Sequence, residues 1–114
     1  MGDSAGHSAR ATPPSLALLW AIYVAEGGCR ASVPFGWLPA KRSWQAGQVS
    51  LASIASAVMA HLHMRWKQYQ ANPEAQRRGD YIRYLARQGY NANPAEWDAW
   101  ENNVRALLKQ FEQF

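Results

Sequence analysis

The stretch Ser15–Gly28, "SLALLWAIYVAEGG", decides how the rest of the chain is read. Ser15 suits a helix N-cap, ten apolar residues follow without a break, and then come Glu26 and two glycines. Leu16, Leu19, Trp20, Tyr23 and Glu26 recur at spacings of three and four, so the run predicts a helix ended by Gly27 and Gly28. At about 100° per residue, Glu26 projects about 20° from Leu19 and about 60° or less from Ile22 and Tyr23, on the apolar stripe. Partial burial and the negative end of the helix dipole both disfavour a charged carboxylate there. The expected pKa is therefore raised, the condition a general acid needs. The apolar run falls well short of the ~20 residues that a membrane-spanning helix requires.

Around this helix, 114 residues suffice for one domain with one core. A chain 48% hydrophobic and 18% charged, with six Trp, five Tyr and three Phe, is a folded, aromatic-rich body and not a disordered one. The net charge of +4 and pI near 9.6 suit a polyanionic partner: nucleic acid, an anionic membrane surface or the bacterial cell wall. A single cysteine, Cys29, excludes an internal disulfide and supplies no ligand pair. His61 and His63 are two apart on an expected helix, about 200° around it, and cannot share an ion. Neither a metal nor another cofactor is expected. Residues 1–14, "MGDSAGHSARATPP", read as a flexible leader with no signal-peptide pattern. The protein is then expected to be made in the cytoplasm and to meet the wall or periplasm by export or lysis.

Residues 29 to 47 contain Pro34, Gly36, Pro39 and Gly47 and predict an ordered loop or short irregular hairpin, with "VPFGWL" its most strand-like part. A long helix is expected from Ser50, with Leu51, Ile54, Val58, Leu62, Trp66 and Tyr69 as its stripe, stopping before Asn72 and Pro73. Asp80 caps a third helix, "YIRYLARQ", closed by Gly89. Asn93, Pro94 and Glu96 form a capping-box start for a last one, whose buried face is Trp97, Trp100, Val104, Leu107, Leu108 and Phe111. The expected fold is mainly α, with about four helices and a short irregular β-hairpin or loop after the first, in a single domain over residues 15–114.

"AIYVAEGG", followed by the "GW" of "SVPFGW", resembles the "AEGG…PYG" segment of small, often phage- or prophage-associated lytic transglycosylases of the lysozyme-like superfamily. "GDYIRYLARQGY" is similar to that family's glycine-aspartate, aromatic, "FLA…Y" segment, and "WENNVRALL" to its closing "W…NVR" helix. The three blocks keep their order over residues 16 to 108. Phe35 stands where the family has tyrosine, Trp37 where it has a smaller aliphatic residue, and "NANP" lacks its cysteine. The resemblance implies a lysozyme-like fold and makes Glu26 the catalytic acid and base of peptidoglycan cleavage at the MurNAc–GlcNAc β-1,4 bond. It also implies 1,6-anhydro products and a cleft-lining aromatic on the third helix or the turn after it.

Most glycosidases need two carboxylates, yet no acidic residue lies between Glu26 and Glu74, and Asp80 reads as a cap. A single acid that also serves as base fits the anhydro outcome, with substrate-assisted hydrolysis left open. Candidate sugar contacts are Ser32, Phe35 and Gly36 on the loop and Tyr84, Tyr90 and Asn91 further on; Tyr81 reads as core. Ser32 and Gly36 loosely resemble the serine and glycine after the glutamate of larger transglycosylases, but the spacing differs, so a plain loop serine explains Ser32 better. Asn91 would bind an N-acetyl group or merely complete the turn. The expected partner is the glycan strand, met by a monomer. Two other classes compete. Arg65, Lys67, Arg77, Arg78, Arg83 and Arg87, interleaved with Trp66, Tyr69, Tyr81 and Tyr84, would suit a basic helical nucleic-acid-binding module, although no helix-turn-helix, zinc or ribonucleoprotein signature accompanies them. A non-catalytic peptidoglycan-binding relative, or a purely structural helical module, is the other.

Overall fold

The first helix begins as Ser15 allows. Its Oγ accepts the Leu18 N–H at 3.1 Å, and α1 runs Leu16–Ala25. The computed structural model describes residues 13 to 90 and 93 to 113; of the expected leader, residues 1 to 12 lie outside this range, as does Asn91. The described residues are mainly helical and contain no strand. After α1 come three short 3-10 turns (Gly28–Arg30, Pro34–Gly36, Leu38–Ala40) and a brief helix α2, Lys41–Gln45. The β-hairpin allowed for residues 29 to 47 is therefore corrected to coiled turns. Val33 and Pro34 are buried among helices, and the left-handed Phe35 and Gly36 turn the chain before a second strand could pair.

Ser50 caps α3, Leu51–Gln70, whose 20 residues span about 30 Å. Pro73 does end it, but Asn72 at once caps a further helix that the sequence reading missed, α4 (Pro73–Arg78), by accepting the Ala75 N–H at 3.1 Å. Asp80 caps α5, Tyr81–Leu85, through the Arg83 N–H. Gly89 does not stop the chain there, because Ala86–Tyr90 widens into a π-helical turn. Asn93 caps the 3-10 turn Pro94–Glu96, which leads into α6, Trp97–Phe111. No helix among the described residues is long and apolar enough to cross a membrane.

α1 packs against α6, so the two ends of the domain lie side by side, and α3 closes the core beneath the Pro34–Gly36 turn and α5. Leu18, Ile22, Phe35, Ile54, Val58, Leu62, Tyr81, Ile82, Leu85 and Val104 are at most 2% exposed. Tyr81 anchors this core by donating its hydroxyl to the Leu62 carbonyl at 2.5 Å. The buried face of α1 is rotated from the expected one. Leu18, Leu19, Ala21 and Ile22 are inside, whereas Leu16 and Trp20 are 69% and 48% exposed. A helix apolar on every side has no periodicity to choose a face; packing against α6 chooses it.

Candidate functional site

α1 ends because Gly27 adopts φ +107°, a left-handed conformation that a Cβ disfavours. Glu26 is left as the C-terminal cap, with its N–H bonded to the Ile22 carbonyl at 3.0 Å. Its side chain reaches across to α6, where the Trp100 indole Nε1–H donates to Oε2 at 2.8 Å. The loop after α1 closes over the other oxygen. Phe35 and Gly36 are successive left-handed residues, at φ +63° and +61°, and they fold the backbone back so tightly that a Cβ on Gly36 would lie 2.6 Å from Oε1 of Glu26. Strain of about 1–3 kcal/mol at a non-glycine left-handed residue is offset at Phe35 by burial of its ring, 5.1 Å from that of Tyr23.

The half-buried Glu26 carboxyl is pushed above its ordinary 4.5 chiefly by burial; the Trp100 hydrogen bond pulls the other way, and the negative charge of Glu96 adds to the rise. One residue further along α6 the logic is inverted. Glu101 is 4% exposed, and burial alone would raise it. Instead Arg105 at 2.8 Å, Arg87 at 2.9 Å and Arg83 at 3.3 Å hold its carboxyl below the usual range. Arg105 also grips Asp80 at 2.6 Å. Adjacent residues of one helix thus serve two carboxyl groups driven in opposite directions, Glu26 toward its protonated form and Glu101 toward its anion. Such a separation is how a protein assigns acid and structural roles among like groups.

The expected site residues divide. Gly36 adjoins Glu26. Phe35 is core, not open surface, so its contribution is to set the loop's path. Ser32 is exposed on that loop. Tyr84 packs against Tyr69 at 5.5 Å and lines a cavity of about 100 Å³ with Asn72, Ala75, Arg78 and Arg83, whose lining does not include Glu26. Tyr90 closes the π-helical turn, and Asn91 falls outside the described residues. Neither later carboxylate weighed as a partner stands at Glu26: Glu74 pairs with Arg77 at 2.6 Å, and Asp80 caps α5 and binds Arg105.

Sequence reasoning missed Trp100 and Glu96 as neighbours of Glu26. The available signal was that a buried tryptophan needs an acceptor for its N–H, and that Glu96 lies one helical turn before it. Three of the six cations grouped as a basic patch, Arg77, Arg83 and Arg87, are spent on carboxylates, which weakens the nucleic-acid reading. Among the described residues no three His, Cys, Asp or Glu side chains converge on a metal position. Protein-family models, curated proteins and solved structures offer no match to the chain.

Proposed function

We propose that this chain is a peptidoglycan-cleaving glycosidase of the lytic transglycosylase type, with a lysozyme-like arrangement of its helices and Glu26 as the catalytic group. The observation that carries the reading is the environment of that carboxyl. It sits half-buried at the end of α1, held at one oxygen by Trp100, overlain by a glycine at the other, and biased toward its protonated form. A protonated carboxyl delivers its proton to the glycosidic oxygen as the bond from C1 to that oxygen breaks, and the leaving sugar keeps the electron pair. The resulting carboxylate accepts the proton of the C6 hydroxyl as that oxygen bonds to C1, which closes the 1,6-anhydro ring. Glu26 ends protonated again, and no water is consumed.

A second reading, hydrolysis, draws on one observation: the negative charge of Glu96, in the turn before α6, acts on Glu26. Muropeptide mass analysis after digestion of purified peptidoglycan separates the two. Anhydro products absent with Glu26→Gln are the expected result, and products heavier by one water would point to hydrolysis. If the wild-type protein releases nothing, the glycosidase reading fails.

A further inference from the structure

The two oxygens of Glu26 are not equivalent. Oε2 receives the Trp100 indole N–H at 2.8 Å, whereas Oε1 lies against the bare Cα of Gly36. An indole N–H only donates, so it requires an acceptor whichever protonation state the carboxyl is in. A carboxylate offers either oxygen. A carboxylic acid accepts far better at its carbonyl oxygen than at its hydroxyl.

We propose that Trp100 is the positioning residue of this site: it fixes Oε2 as the carbonyl oxygen, so that the transferable proton resides on Oε1, the oxygen that adjoins Gly36. This deepens the glycosidase reading and rests on it for its catalytic meaning. Oε1 then serves both half-steps, giving the proton to the glycosidic oxygen and taking that of the C6 hydroxyl, because Oε2 never leaves Trp100. The carboxyl need not rotate between them.

The surroundings leave few other groups to fill this role. The covering loop, residues 31 to 40, carries no titratable side chain, α1 contributes only Tyr23, and the turn between them carries Cys29 and Arg30, both exposed. From the turn before α6, Glu96 adds negative charge, which opposes ionisation of Glu26. Trp100 is 5% exposed, so its N–H has little access to water as a substitute acceptor.

The test is spectroscopic first. In the wild-type protein, the Trp100 indole ¹H–¹⁵N resonance should titrate with the same midpoint as the ¹³C carboxyl signal of Glu26, and should cease to titrate in Glu26→Gln. In Trp100→Phe, which keeps an aromatic ring but loses the donor, the Glu26 midpoint should move to higher pH. The alkaline limb of kcat should follow it, with kcat at the optimum falling about tenfold or more while KM changes less than about twofold. A merely structural tryptophan would lower Tm and leave the Glu26 midpoint where it is, which would overturn the proposal. An indole resonance blind to Glu26 ionisation would do the same in wild-type protein, so the result does not depend on how well Trp100→Phe folds. Failure of the glycosidase reading would show separately, as absence of muropeptide release.

Discussion

Gly36 answers to two constraints at once, a left-handed backbone and a carboxyl oxygen where its side chain would be. Gly36→Ala is expected to cost about 1–3 kcal/mol from backbone strain, read by urea denaturation. Its methyl would also displace the Glu26 carboxyl, so muropeptide release should fall about tenfold or more. Full activity in Gly36→Ala would mean that the loop does not shape the acid. The residue before it makes the opposite compromise. Removing the buried ring in Phe35→Ala should cost about 3–5 kcal/mol. Phe35→Gly, which removes more, should be no less stable than Phe35→Ala, because glycine is at ease at φ +63°. That reversal of the usual order is measurable by thermal denaturation of the pair. Glu26 was legible in the sequence because it is a lone carboxylate that ends an unbroken apolar run just before two glycines. Trp100 was not, because its bond to Glu26 spans 74 positions and a stripe does not say what it packs against.

Among the elements, α6 shows where reading by pattern ends. Its apolar positions Trp100, Val104 and Leu108 are buried as spacing requires. Glu101 beside them is buried too, for a reason that hydrophobic periodicity is blind to: three arginines from α5, the π-helical turn and α6 itself converge on it. These ion pairs tie α5 and the turn that follows it to α6. Glu101→Gln keeps the volume and removes the charge. A fully buried pair broken in this way would cost about 3–5 kcal/mol. Here Arg83, Arg87 and Arg105 are 46%, 32% and 40% exposed and regain water, so about 1–3 kcal/mol is expected. Chemical denaturation of Glu101→Gln checks this, and an unchanged midpoint would show the cluster to be decorative. The caps at Ser15, Ser50, Asp80 and Asn93 were all readable, since capping chemistry is local. The helix α4 was missed although Asn72 and Pro73 carry a local start signal, whereas α2 and the π-helical widening were not legible, since nothing in their own few residues favours them over a turn and tertiary packing decides.

For the whole molecule, three perturbed groups give stability a pH dependence with opposing slopes. Glu26 retains its proton longer in the folded chain, so it contributes a loss of stability as pH rises from about 4.5 toward its higher folded pKa. His61, held below 6.5 chiefly by burial and also by the charge of Arg65, resists protonation when folded. It contributes a loss as pH falls from about 6.5 toward its lower folded value. Glu101 acts below both: its contribution is present above about 4.5 and disappears as acid reaches its depressed pKa. Wild-type stability should therefore fall on the acid side through Glu101, while Glu26 and His61 contribute slopes of opposite sign at higher pH. Substitution separates the two. In Glu26→Gln the His61 slope stands alone, so stability should climb as pH rises toward about 6.5, and the gap to wild type should widen until Glu26 is fully ionised in the native state. In His61→Gln the Glu26 slope stands alone, and stability should decline as pH rises from about 4.5 toward the raised Glu26 pKa. Denaturation curves for the three proteins from about pH 3 to pH 8 make the comparison. If the wild-type and Glu26→Gln curves ran parallel, the Glu26 carboxyl would ionise alike in the folded and unfolded chain. Since that carboxyl is enclosed only when α1 meets α6, its surroundings would then offer nothing to hold a catalytic proton.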